Sequence, residues 1–211
     1  MAHGGGRRES EQRVAEAPGT DWLVVALSAA GLLVSGYLTW LKLTGRGAVF
    51  CVAGSGCDLV QASRYAVFLA VPTALWGAAL YTAIGILGGL GLTAQRWLAA
   101  FLLASAGVGF SAYMTYLSLV DVKAACVYCL TSVAIVLTLL IVLLWRRPLA
   151  RGRKFPLRPV RLATYGSLMA AASIVFGAFV FAAPSSAPPD FQTALARHLR
   201  DTGAVMYGAY W

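Results

Sequence analysis

The sequence predicts an all-α integral membrane protein, a bundle of four transmembrane helices with a fifth beside it. Three observations carry this expectation. Of 211 residues, 59% are hydrophobic and only 12% charged, and the mean hydropathy is +0.73, too little polar surface for a water-soluble domain of this size. Five apolar stretches meet or approach the roughly 20 residues with which a helix crosses a bilayer. Charges are almost absent from their interiors, unlike the short amphipathic helices of a soluble core.

Residues 1–20 are polar and rich in Gly, Arg and Glu, as expected of a disordered cytoplasmic arm. The first span, 22–43, exceeds the apolar core of a signal peptide and has no clear A-x-A site after it, so it is read as retained. A loop over 44–70 carries Cys51, Cys57 and Ser63 and leads to the second span, 71–92. The third span, 97–119, is joined by a 120–125 loop to the fourth, 126–145, which opens on Cys126-Val-Tyr-Cys129. Residues 21–145 thus read as the four-helix unit. A basic loop, 146–161, precedes the fifth span at 162–183. Pro184, Pro188 and Pro189 then mark a linker. A short helix is expected over 191–202, with Asp190 as N-cap and Gly203 as C-cap, followed by a strand over 204–211. One strand makes no domain, so 184–211 reads as a linker and the opening of something further. Gly31/Ser35 and Gly85/Gly89 place small residues four apart, which permits close helix packing.

The net charge of +9 is unevenly placed. Arg146, Arg147, Arg151, Arg153, Lys154, Arg158 and Arg161 crowd one loop, and Arg7, Arg8 and Arg13 precede the first span. The positive-inside rule makes both regions cytoplasmic. Five spans then put the C-terminus, the 44–70 loop and the 120–125 loop outside, with all four cysteines, in a compartment where disulfides persist. Anionic lipid headgroups account for the basic loop, so no nucleic-acid partner is expected. No metal is expected either, since His3 and His198 lie in terminal segments far from the cysteines.

Cys126 and Cys129 share a face at the start of a helix, where unsatisfied N–H groups and the macrodipole stabilise a thiolate. Lys123 adds positive charge just before them. Gly54 and Gly56 let the loop fold back and bring Cys51 and Cys57 within disulfide range. Each pair has a bland reading, as buried inert thiols or as a structural staple. Together, at one bilayer edge, they read better as a shuttle exchanging electrons between pairs. Four cysteines allow three pairings, and the sequence does not choose among them. Electrons reaching Cys126 and Cys129 need an acceptor, for which a lipid-soluble quinone is suited. Ser63 could supply a hydrogen bond to it, and Tyr65, Phe68, Trp76 and Tyr128 are nearby aromatics, though aromatics also mark bilayer interfaces.

An ordered set of residues resembles the vitamin K epoxide reductase family, in the form of its bacterial homologues. It comprises Ser35-Gly-Tyr-Leu-Thr-Trp-Leu-Lys42, Cys51-x5-Cys57-Asp58, Ser63, Pro72, Trp76-Gly77 and Cys126-Val-Tyr-Cys129, and it covers about residues 22–145. The resemblance implies a four-helix bundle around a quinone (ubiquinone or menaquinone) in the bacterial inner membrane, with its cysteines on the periplasmic side. It implies that Cys51 and Cys57 exchange with a thioredoxin-like or DsbA-like thiol oxidase, and that a loop cysteine then reduces the disulfide at Cys126. Cys129 would lie beside the quinone, and Ser63 would match the Ser/Thr that positions the site. The activity implied is a thiol–quinone oxidoreductase supporting disulfide formation in exported proteins.

Many bacterial members carry a fifth helix and a fused thioredoxin-like domain, which residues 162–211 resemble up to the point before its C-x-x-C. That partner is then expected in cis, beyond this stretch, or in trans. Where animal members have Tyr four residues after the second C-x-x-C cysteine, this chain has Val133, which argues against the alternative of quinone-epoxide reduction. A non-enzymatic transporter with structural disulfides would predict charges within the membrane. Between 71 and 119 the only charge is Arg96, in an expected cytoplasmic turn.

Overall fold

The computed structural model describes residues 19–44, 56–146, 159–182 and 197–203. Within them the chain forms α1 (Trp22–Thr44), a short α2 (Gly56–Ala62), a 3-10 turn (Arg64–Ala66), strands β1 (Val67–Phe68) and β2 (Val71–Pro72), α3 (Thr73–Gly89), α4 (Ala94–Val120), α5 (Val127–Trp145) and α6 (Pro159–Ala182). The fold is all-α, and four helices (α1, α4, α5 and α6) are long and apolar enough to cross a membrane.

The shorter α3 is apolar but spans 17 residues, less than the 71–92 expected. Pro72 precedes its first turn, and the chain leaves the helix through Gly91 at φ 82°. α4 begins earlier than the expected residue 97, because Thr93 Oγ1 accepts the N–H of Arg96 at 3.4 Å and caps it. Arg96 therefore sits in the first turn of α4. Its guanidinium donates to the carbonyls of Leu90 (2.6 Å) and Gly91 (3.3 Å), satisfying groups that the end of α3 leaves open.

Lipid is as apolar as leucine, so helices in a membrane associate through close packing and interhelical hydrogen bonds. Both are present. α1 and α3 pack together where Gly31 admits the Tyr81 ring and Gly85 faces Ser28, while Gly89 meets no neighbour. The core lies toward the end opposite the cysteines, around Val24, Ile84, Trp97, Phe101, Leu139 and Leu143. There Trp97 Nε1 donates to the Leu143 carbonyl at 2.8 Å, and Arg146 pairs with Asp21 at 3.5 Å. Exposed Trp22 and Trp145 flank this end, as interfacial tryptophans do.

The 44–70 loop holds structure that its sequence does not advertise. β1 and β2 form a hairpin pairing Val67 with Pro72 and Phe68 with Val71. Its two-residue turn places Leu69 and Ala70 at φ 53° and 63°, a conformation usually marked by Asn or Gly. Beyond α6, residues 197–201 are helical, and Gly203 follows at φ 67°, as its expected C-cap role requires. The expectations for 1–18, for Cys51, for 147–158, for the 184–189 linker and Asp190, and for the 204–211 strand lie outside the described residues.

Candidate active site

Cys126 is the N-cap of α5, with extended backbone and its sulfur accepting the N–H of Cys129 at 3.4 Å. The pair therefore opens the helix as its spacing predicts. Both are free thiols, whereas Cys57 is disulfide-bonded. Cys126 lies just outside the membrane-spanning segment. The hydrogen bond from the Cys129 side chain, opposed by burial and reinforced by the backbone N–H groups of Cys129 and Tyr128, brings its thiol down to about 7. A thiolate there is the nucleophilic form.

The two thiols face different surroundings. Cys126 is 1% exposed and does not line the cavity described below. On its N-terminal side, the Ala125 carbonyl lies against Gly56, where a Cβ would overlap the oxygen. Glycine at 56 thus lets α2 close on the stretch leading into α5. The next residue of α2, Cys57, is 5% exposed. Lys42 Nζ secures the other end of α2 by donating to the Gln61 carbonyl at 2.6 Å.

Cys129 lines a cavity of about 160 Å³ enclosed by α1, α3, α4, α5 and the α2–hairpin segment. Its wall is chiefly apolar, including Leu38, Phe110, Met114 and Val133. A few hydroxyls interrupt it, among them Ser63, Ser132 and Tyr65. An apolar void of roughly 150 Å³ holds one benzene-sized ring, so this cavity fits a six-membered ring with polar substituents. Ser63 lines this cavity, and its Oγ donates to the Val60 carbonyl at 2.7 Å. With that proton committed, the oxygen is left to accept a hydrogen bond from a ring hydroxyl, not from a ring carbonyl.

Of the four aromatics singled out from sequence, only Tyr65 lines the cavity. Its hydroxyl donates to Asp121, joining the loop to the α4–α5 connection. Phe68 and Trp76 meet edge-on behind it, and Tyr128 packs on Tyr37. Sequence reasoning missed Ser132 and Phe110. Ser132 is held by Tyr81, whose hydroxyl lies 2.9 Å from both its carbonyl and its Oγ. Helical periodicity from Cys129 could have found Ser132, three residues on and on the same face. No local signal marks Phe110.

Comparison with known proteins adds three facts. Residues 22–144 match the profile of the Vitamin K epoxide reductase family. A curated protein of Arabidopsis thaliana, thiol-disulfide oxidoreductase LTO1, is 29% identical over 204 residues, covering 85% of this chain and 54% of its own. The chain thus spans about half the length of the curated relative it matches.

Proposed function

The chain belongs to the vitamin K epoxide reductase family, and from that premise we propose that this membrane oxidoreductase passes electrons from a thiol partner to a membrane quinone. The observation carrying the proposal is the position of the Cys126–Cys129 pair. One sulfur is buried behind the residue that meets Gly56, and the other stands in the cavity wall.

The electron path follows from the chemistry of the sulfurs. Reduced loop cysteines are formed by exchange with a thioredoxin-like or DsbA-like oxidase, acting in cis or in trans, whose own thiols become a disulfide. Because Cys126 and Cys129 are free and Cys57 is bonded, Cys51 is the natural mate of Cys57. The Gly56–Ala125 contact favours Cys57 as the loop residue that attacks Cys126. In that exchange a Cys57–Cys126 bond forms and Cys129 leaves as a thiolate. Cys51 then attacks Cys57, restoring the loop disulfide and leaving Cys126 and Cys129 reduced. A bound quinone would accept two electrons and two protons from that dithiol, whose sulfurs close to a disulfide. Cys129 would face the ring, the Cys126 thiolate would close onto Cys129, and Ser63 Oγ would accept a hydrogen bond from a hydroxyl of the reduced ring.

Orientation is proposed on the same footing. In the sequence the basic stretches, residues 7–13 and 146–161, flank the start of α1, the end of α5 and the start of α6, opposite Cys57, Cys126 and Cys129. The positive-inside rule then sets the cysteine end on the periplasmic face of a bacterial inner membrane. Thiol chemistry of this kind supports disulfide formation in exported proteins. The test is anaerobic quinone reduction by the purified chain supplied with a reduced thioredoxin-like donor. Each Cys→Ala variant should lose turnover, and wild-type turnover by any of them would refute the relay.

A further inference from the structure

The helix that follows the family-matched region packs behind the wall of the cavity without lining it. α6 lies wholly beyond residue 144, where the match ends. It is seated on α4 too closely for a loosely attached anchor. Gly109 leaves no room for a Cβ against the Ala170 carbonyl, and Ser173 Oγ donates across the seam to the Ala106 carbonyl at 3.0 Å.

At the cysteine end of this seam α6 meets the hairpin. Phe181 lies edge-on to Tyr65 at 5.3 Å between centroids and tilted against Phe68 at 5.4 Å. Phe176 meets Phe68 at 5.6 Å. Phe68 in turn meets Phe110 at 5.3 Å, and Tyr65 and Phe110 both line the cavity. The hairpin needs such support. Leu69 and Ala70 at φ 53° and 63° hold a left-handed conformation costing about 1–3 kcal/mol per residue. A two-stranded hairpin is also only marginally stable by itself.

We propose that α6 is a positioning element of the quinone cavity, with Phe181 acting through Tyr65 and Phe68 to hold the hairpin against the cavity. This rests on the function proposed above. It makes α6 part of the working unit and gives it a role beyond tethering whatever follows.

The test uses the full chain in lipid nanodiscs. Phe181→Ala should raise KM for a short-chain quinone by roughly tenfold, as expected for the loss of two ring contacts, with kcat retained. Phe181→Tyr should restore KM. Phe179→Ala, on the same helix but 76% exposed, should leave it unchanged. Should Phe181→Ala fail to fold, Phe181→Leu keeps apolar bulk without the ring and should raise KM by about threefold. An unaltered KM in a folded Phe181 variant overturns the inference. Alkylation of Cys129 by N-ethylmaleimide, read by mass spectrometry, reports the cavity without any turnover. It should run faster in the Phe181→Ala or Phe181→Leu chain than in wild type, and equal rates also overturn the inference. A wild-type chain that reduces no quinone would instead count against the proposed function, while the alkylation rates would still decide the part played by α6.

Discussion

Gly56 is seated against the carbonyl oxygen of Ala125, and the residues that follow them in the chain are Cys57 and Cys126. This contact joins the loop helix to the start of α5. It depends on the absence of a side chain, since the obstructing atom is backbone and has little room to yield.

Gly56→Ala should therefore slow partner-driven turnover by about tenfold, the kinetic equivalent of an overpacking strain near 1.4 kcal/mol. The cavity is untouched, so KM for an added quinone should not change. Steady-state kinetics with a reduced thioredoxin-like donor, at varied quinone, separates the two. Wild-type turnover in this variant would mean that α2 need not dock on Ala125.

The Cys126 thiol, brought down to about 7 by its hydrogen bond from Cys129, sets a pH dependence. Its thiolate fraction is small well below that value and nearly complete well above it. Disulfide closure by pre-reduced protein in the presence of quinone should accelerate as pH rises through about 7 and then level off. Rapid-mixing measurements across this range provide the check. A rate that falls over the same interval would assign the closing nucleophile elsewhere.

Removal of Cys129 should uncouple the two halves of the relay. In Cys129→Ala the Cys126 thiolate can attack Cys57, breaking the loop disulfide and releasing the Cys51 thiol, but has no second sulfur to complete the exchange. A Cys57–Cys126 mixed disulfide should accumulate while quinone reduction disappears. Non-reducing peptide mapping detects the bond, and its absence would point to a different loop partner for Cys126.

Trp97 tests the far end of the bundle. It is fully buried, stacks on Phe101 with centroids 5.5 Å apart, and donates to the Leu143 carbonyl. Trp97→Phe removes that donor from a carbonyl in an apolar core and should destabilise the fold by about 1–3 kcal/mol. Thermal unfolding in detergent should report the loss, with quinone KM unaltered. An equal Tm would show that the bond contributes nothing net.

How far the site could be read from sequence differs from residue to residue. The Cys126–Cys129 pair was legible because helix geometry links three-residue spacing to a shared face, and an apolar run of 19 residues follows it. Ser63 was singled out as a polar residue near the loop cysteines and again through the resemblance, and it lines the cavity. The hairpin was invisible because Leu69 and Ala70 adopt turn geometry without turn residues. Tyr65 separated itself from Phe68, Trp76 and Tyr128 only through packing, since interfacial aromatics look alike in sequence.

By itself the sequence determined that this chain is a helical membrane protein, because long uncharged apolar runs have one stable form in a bilayer. Tertiary structure alone decided that Cys129 faces the cavity while Cys126 is buried away from it. It also decided that Gly56 docks on Ala125 and that Phe181 packs on Tyr65 and Phe68. Each of these joins residues distant in the chain, and such contacts depend on how helices pack, which no local pattern encodes.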